Sequence, residues 1–477
     1  MSENSFHEML LNCFGLAPTD QQKVLFLELE KFARKREGRN LFVLKGYAGT
    51  GKTSVLGAYV RALSEFKVRT KLLAPTGRAA KVFSLKSNQE ALTIHKQIYR
   101  RKSKVDLTSP LGLQPNLFKN TLFIVDEASM IGDYSLQNDG NISSRNLLDD
   151  LFEYVFSGVN CKLILLGDTG QLPPVGSDFS PALNEDYLKN HYPMLSIDSF
   201  MLSEVLRQAS GSSVLKNATI LRNTAWERYP TFQLEKGGDL RRLEGNELQD
   251  ELESSFSNKG VEETILITRS NKRANEFNRQ IRSRILWYEE ELCPGDSLMV
   301  VKNNYFWLGD DTKVGFIANG EIIKIKRILR LEELYGFHFA RVMVSFVDYD
   351  ELGDIELLIH TEALTAEGPA IPRNRMKELF YEIERDYAHL RDKKKRYEAI
   401  LSDPYFNALQ VKYAYAVTCH KSQGGQWSDV YIDQGYLTDE MLGTDYYRWL
   451  YTALTRATDK VFLVNFSDDF FPESLSE

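Results

Sequence analysis

The stretch Leu41-Phe42-Val43-Leu44-Lys45-Gly46-Tyr47-Ala48-Gly49-Thr50-Gly51-Lys52-Thr53 decides the fold. Four consecutive apolar residues suit a strand buried on both faces, as strands of parallel sheets are. They run into G-x-x-x-x-G-K-[ST], whose glycines let successive backbone N–H groups turn inward around an anion. Val55, Leu56, Tyr59, Val60 and Leu63 follow at helical spacing, so a helix points its positive end at the same place. Gly46, Ala48, Gly49, Thr50 and Gly51 are therefore expected to cradle the phosphates of ATP. Lys52 would reach the β- and γ-phosphates, and the Thr53 hydroxyl would hold Mg²⁺.

Two more buried strands supply what such a cradle needs. Leu122-Phe123-Ile124-Val125 runs straight into Asp126-Glu127. Asp126 is expected to hold Mg²⁺, and Glu127 to orient the attacking water as general base. Leu163-Ile164-Leu165-Leu166 ends in Gly167-Asp168, with Gln171 just beyond. Strand ends on one edge of a parallel sheet converge on one crevice. There the Gln171 amide can hydrogen-bond the γ-phosphate or the water.

Further apolar runs occur at Lys71–Leu73, Thr264–Ile267, Val430–Ile432 and Val461–Val464, with helix-period stretches between several of them. The pattern predicts an α/β chain with two parallel-sheet domains. The first covers 1–200. The second is built from 201–285 and 411–477. Residues 286–410 break the pattern: turn signals at Gly295-Asp296 and Asn319-Gly320 punctuate runs such as Glu321-Ile322-Ile323-Lys324-Ile325. That predicts an inserted β-rich subdomain. Met376, Leu379, Phe380, Ile383, Tyr387 and Leu390 predict a helical extension over 373–401, holding the basic run Arg391–Arg396, either a solvated face or a phosphate contact.

Composition narrows the class. The chain has 477 residues, 43% hydrophobic and 26% charged, as globular proteins have; the length suits about three domains. No apolar run approaches the roughly 18–20 residues of a membrane span, and the first residues lack a signal-peptide pattern, so a cytoplasmic protein without membrane contact is expected. Cys13, Cys161, Cys293 and Cys419 are isolated, which excludes a zinc ribbon or disulfide framework. The net charge of −7 excludes nucleic-acid coating by bulk charge and leaves a local groove.

Taken in order, the motifs resemble superfamily 1 DNA helicases of the 5′→3′ branch, the RecD and phage Dda type, from about residue 18 to 465. Pro18-Thr19-Asp20-Gln21-Gln22 resembles the adenine-reading Q motif, with Gln22 in the reading position. Ala74-Pro75-Thr76-Gly77-Arg78-Ala79-Ala80 resembles motif Ia, and Thr93-Ile94-His95 the next strand-contact motif. Val125–Met130 resembles motif II, and Gly167–Gly176 motif III. Leu202–Gln208 resembles motif IV, Val417–Gly424 motif V and Tyr451–Ala457 motif VI.

The resemblance implies two RecA-like P-loop NTPase domains with ATP between them, and Arg207 and Arg456 as arginine fingers. It places Pro75, Thr76, Arg78, His95, Thr418, His420 and Lys421 along a single-stranded DNA channel. It makes 96–120 a strand-separating pin, with Tyr99, Leu113 or Phe118 as the wedge, and 286–410 a β-barrel with its extension. RecD-type chains often carry an N-terminal domain before the glycine loop, and with 45 residues before Gly46 that domain is expected to be absent, as in the compact Dda layout. The expectation is a monomeric ATP-dependent helicase acting on single-stranded DNA and duplex junctions, in repair or recombination, beside single-strand-binding or replication proteins. The alternative is a single-strand-stimulated ATPase, translocase or recombination subunit that does not unwind.

Overall fold

Strand β1 (Arg39–Gly46) is the buried strand expected before the glycine loop. The computed structural model describes residues 3–101, 111–133, 146–205, 211–223, 229–308, 316–349 and 352–471. Beside β1 stand β2 (Arg69–Ala74), β3 (Ala91–Thr93), β6 (Thr121–Val125), β7 (Lys162–Gly167) and β8 (Leu195–Leu202), with the small hairpin β4 (Tyr99–Arg101) and β5 (Leu111–Leu113) set apart. The six strands form one sheet in the order β3-β2-β6-β7-β1-β8. Every pairing in it is parallel. Every residue of β6 and β7 is buried, because both faces are covered. Helices Asp20–Arg34 and Lys52–Glu65 pack Phe26, Leu29 and Tyr59 on one face, and Leu147–Ser157 packs Leu151, Tyr154 and Val155 on the other. Adjacent strands β6, β7 and β1 thus deliver Asp126, Asp168 and the glycine loop to one edge.

The second sheet uses β9 (Leu240–Leu243), β10 (Thr264–Thr268), β16 (Ala416–Thr418), β17 (Trp427–Asp433) and β18 (Ala457–Val464) in the order β16-β10-β17-β18-β9, again all parallel. Between β10 and β16 the chain leaves to build a closed five-stranded barrel from β11 (Ser297–Val300), β12 (Ile322–Leu334), β13 (Phe337–Phe346), β14 (Ile355–His360) and β15 (Leu409–Tyr413). The barrel's last strand therefore straddles the expected boundary at 410, and β8 of the first sheet runs past the one at 200. No helix among the described residues is long and apolar enough to cross a membrane.

Two expectations need correction. The helix expected over 373–401 is two helices, Arg373–Asp386 and Lys393–Leu401. Asp392 caps the second by accepting from Lys394 N at 2.9 Å, and the Arg396 guanidinium turns back onto Leu390 O at 2.8 Å. Lys393, Lys394 and Lys395 are exposed. The wedge candidates also fail. Tyr99 donates to Asp150 Oδ2 at 2.6 Å, and Leu113 and Phe118 pack on the first sheet's core, so all three anchor the hairpin's base. Residues 102–110 lie outside the described residues.

Candidate functional site

The cradle is braced from within. Gly49 and Gly51 hold φ of +77° and +80°, which side chains resist. Thr50 Oγ1 and Lys52 Nζ both donate to Tyr47 O at 2.8 Å. The Lys52 ammonium is also 3.7 Å from Asp168 Oδ2. Thr53 Oγ1 donates to Asp126 Oδ2 at 3.4 Å, so the two expected metal ligands stand side by side.

Asp126 is 7% exposed. Burial pushes its carboxyl up to about 7, and the Glu127 charge adds to that. Its oxygens meet the Thr53 hydroxyl and the Glu127 N–H (2.8 Å), and it forms no ion pair among the described residues. A buried oxygen donor set short of positive charge fits Mg²⁺, a hard cation. Glu127 sits at φ +53°, a conformation that costs a non-glycine residue on the order of 1 kcal/mol and that gathers at functional sites. Gln171 is buried, and its Oε1 has no hydrogen-bond partner among the described residues. It lines a cavity of about 560 Å³ together with Lys45, Tyr47, Asp168 and Arg448.

The helix Thr444–Leu454 closes the far side of the cleft. The Tyr451 hydroxyl accepts from Ala48 N at 2.9 Å and donates to Asp168 Oδ2 at 2.7 Å. Leu172 N donates to Thr452 Oγ1 at 2.8 Å, and Gln423 Nε2 donates to Leu172 O at 2.7 Å. The glycine loop and the motif III segment are thus bonded directly to the second lobe.

The expected arginines behave differently. Arg207 lies outside the described residues. Arg456 is 4% exposed, and its hydrogen bonds go to Thr452 O, Gly425 O and Thr455 Oγ1, all in its own lobe. Gln22 is engaged behind the cradle. Its Nε2 donates to Thr50 O at 3.0 Å and its Oε1 accepts from Thr19 N at 3.0 Å, completing a helix capping box. Both ends of the amide brace the cradle from behind. Next to it, Gln21 Oε1 accepts from Ser203 N and Glu204 N at 2.9 and 3.0 Å.

The channel residues divide into struts and open groups. Pro75 follows β2, and Thr76 caps the helix Gly77–Ser87 by accepting from Ala79 N at 3.2 Å. Gly424 (φ +74°) lies against that cap: a Cβ there would meet Thr76 Oγ1 at 3.0 Å. Arg78 crosses between lobes, donating to Gln426 O at 2.8 Å and lying 4.1 Å over the Trp427 ring. It braces the two lobes. His95 sits on the short helix Ile94–Ile98, its ring 5.5 Å from Tyr99. Thr418 precedes the short helix Cys419–Ser422, on which His420 is exposed. Lys421 has no hydrogen bond or ion pair among the described residues, and burial lowers its ammonium to about 8. Lys412, which donates to Ala366 O, is lowered to about 8 by burial and by the Lys421 charge.

Sequence reasoning missed Tyr451 and Asp168 as partners, although it quoted both segments. A tyrosine opening a helix-period motif reads as core, and nothing local pairs it with a loop 403 positions away.

Residues 31–229 match an AAA domain family, and residues 413–464 match the UvrD-like helicase C-terminal domain family. The chain is 24% identical to an uncharacterized protein of Acanthamoeba polyphaga mimivirus, over 88% of this chain and 94% of that one. It is 26% identical to the ATP-dependent DNA helicase dda of Enterobacteria phage T4, over 61% of this chain and 63% of that protein. It is 27% identical to the ATP-dependent RecD2 DNA helicase of Deinococcus radiodurans, over 47% of this chain and 28% of that protein. It thus spans less than two thirds of either named helicase. A solved structure of two coordinating Pif1 helicases at forked DNA aligns over 96% of this chain and 95% of that one, with 16% identity and a TM-score of 0.48. Both family matches thus fall on the lobes that meet at the cradle, and the chain is similar to ATP-dependent DNA helicases of the RecD2 and dda kind.

Proposed function

We propose that the chain is a DNA motor that hydrolyses ATP, moves 5′→3′ along single-stranded DNA and separates duplex at a junction. The observation that carries this reading is the Tyr451 hydroxyl, bonded at once to Ala48 of the glycine loop and to Asp168 at the end of β7. A cradle tied to the opposite lobe transmits the presence or loss of a phosphate as lobe movement.

In this reading Lys52 holds the β- and γ-phosphates, and Gly46, Ala48, Gly49, Thr50 and Gly51 wrap them. Thr53 and Asp126 hold Mg²⁺, which when bound offsets the charge on the phosphate oxygens. Glu127 takes the proton of the attacking water, the free Oε1 of Gln171 positions that water, and Arg207 and Arg456 supply charge to the γ-phosphate. Pro75, Thr76, His95, Thr418, His420 and Lys421 contact the strand's phosphates, and Arg78 joins the two lobes beneath it. The protein acts as a monomer at forks and meets single-strand-binding or recombination proteins there. Relatives named as ATP-dependent DNA helicases support the same reading.

The test is ATP-dependent unwinding of duplexes carrying one 5′ or one 3′ single-stranded tail, with Lys52→Ala as the control. Unwinding of the 5′-tailed duplex alone is expected, abolished in the variant while strand binding persists. ATP turnover and movement without strand separation would leave a non-unwinding translocase. No strand-stimulated turnover would end the motor reading.

A further inference from the structure

We propose that Arg222 is a catalytic residue, a guanidinium the second lobe delivers to the terminal phosphate of ATP. The proposal rests on the motor reading above and adds a residue to it.

The helix Ser213–Asn223 packs with the second lobe's core through Val214, Ala218 and Leu221. Its opposite face lies along the glycine loop. A Cβ placed on Gly49 would meet Leu215 Cδ1 at 3.2 Å. Seven residues on, and so two turns along the same face, the Arg222 guanidinium stands 3.8 Å over the Tyr47 ring. That is the end of the cradle where Lys52 Nζ bonds Tyr47 O, and the lysine of such a loop marks the β- and γ-phosphates. Arg222 also acts on the Tyr451 phenol. Burial and then the Asp168 carboxylate raise that phenol well above its ordinary range, and the Arg222 charge opposes them.

Arg222 is half-buried. Among the described residues its one hydrogen bond runs from Nε to Asn223 Oδ1 at 3.4 Å, and no carboxylate pairs with it. Arg456, in contrast, is buried and hydrogen-bonded within its own lobe. A ring face holds a guanidinium loosely, on the order of 1 kcal/mol at a partly exposed site. A terminal phosphate offers a charge-assisted, two-pronged contact in its place. During hydrolysis the water oxygen bonds to the γ-phosphorus as the bond to the β–γ bridging oxygen breaks. The bond's electrons stay on ADP, and the water's proton passes to the Glu127 carboxylate. Positive charge from Arg222 offsets the charge gathering on the γ- and bridging oxygens.

The experiment compares the wild type with Arg222→Ala and Arg222→Lys. It measures single-strand-stimulated turnover, and affinity for ADP with and without aluminium fluoride, a stand-in for the transferring phosphoryl group. The expected result is a loss in kcat on the order of 10³ for Arg222→Ala, with little rescue by lysine. ADP affinity should hold within about twofold while the aluminium fluoride complex weakens in step with kcat. Matching thermal melting would show that the variants are folded. Turnover within about threefold of wild type, or equal weakening of ADP and its aluminium fluoride complex, would overturn the assignment. A wild type without strand-stimulated turnover would bring down the motor reading itself, a different failure.

Discussion

Tyr451→Phe removes one oxygen at the centre of the interlobe contact. The phenol is 2% exposed, donates to Asp168 Oδ2 at 2.7 Å and accepts from Ala48 N at 2.9 Å. A hydrogen bond to a charged group contributes about 1.5–3 kcal/mol, and a buried N–H left unpartnered costs about 1–3 kcal/mol. Asp168 keeps Gly170 N at 2.8 Å and the Lys52 ammonium at 3.7 Å, so part of its loss is covered. The expected cost of Tyr451→Phe is therefore about 2–4 kcal/mol. A double-mutant cycle with Asp168→Ala isolates the pair, with an expected coupling energy of about 1.5–2 kcal/mol. The assay is denaturant unfolding of the four proteins, followed by tryptophan fluorescence, since Trp427 and Trp449 lie in the second lobe's core. A coupling energy below about 0.5 kcal/mol would mean that the hydroxyl and the carboxylate merely sit near each other, and would refute the claim that Tyr451 ties the lobes.

Glu127→Gln should still bind ATP yet hydrolyse it on the order of 10²–10⁴-fold more slowly, measured by nucleotide binding beside single-turnover hydrolysis; undiminished hydrolysis would remove Glu127 as base. Glu321 of the barrel is 2% exposed and faces Asp348, Lys96, the Tyr349 hydroxyl and the backbone of Ala318; burial pushes its carboxyl up to about 8. The folded state then holds a proton the unfolded state has released, so stability falls as pH rises from the ordinary carboxyl range to about 8 and stays low above it. Glu321→Gln should flatten that slope and stabilise the protein at pH 8.5 by up to about 4 kcal/mol, read from melting at several pH values; an unchanged pH profile would count against it. Asp296 is wholly buried, accepts from Arg282 Nε and Nη2 at 2.8 and 2.9 Å and from Tyr415 Oη at 2.9 Å, and Asp296→Ala should cost about 3–5 kcal/mol by leaving the guanidinium unpaired, with a loss under about 1 kcal/mol in denaturant unfolding contradicting this.

The cradle was legible because its instructions are local. Gly46 through Thr53 specify the loop's dihedrals, the anion-facing N–H groups and the following helix within eight consecutive positions, and Asp126 is legible as the residue that ends an apolar run. Both sheets follow from the same run-and-helix alternation. The extension at 373–401 misled because its apolar period continues through Tyr387 and Leu390, while the break depends on Asp392 capping a new helix and Arg396 folding back on Leu390.

What the sequence alone determined is each strand, loop and helix whose partners lie within a turn or two: the phosphate cradle, its acidic companion and the alternation that builds parallel sheets. Only the tertiary structure decided which side chains meet across the cleft. It spent Gln22 on Thr50, turned Arg78 into a strut against Trp427, enclosed Arg456 in its own lobe, and brought Tyr451 and Arg222 to the glycine loop. Arg78 and Tyr451 meet partners hundreds of positions away, and nothing in the periodicity or propensity of a chain encodes which buried hydroxyl will face which distant N–H.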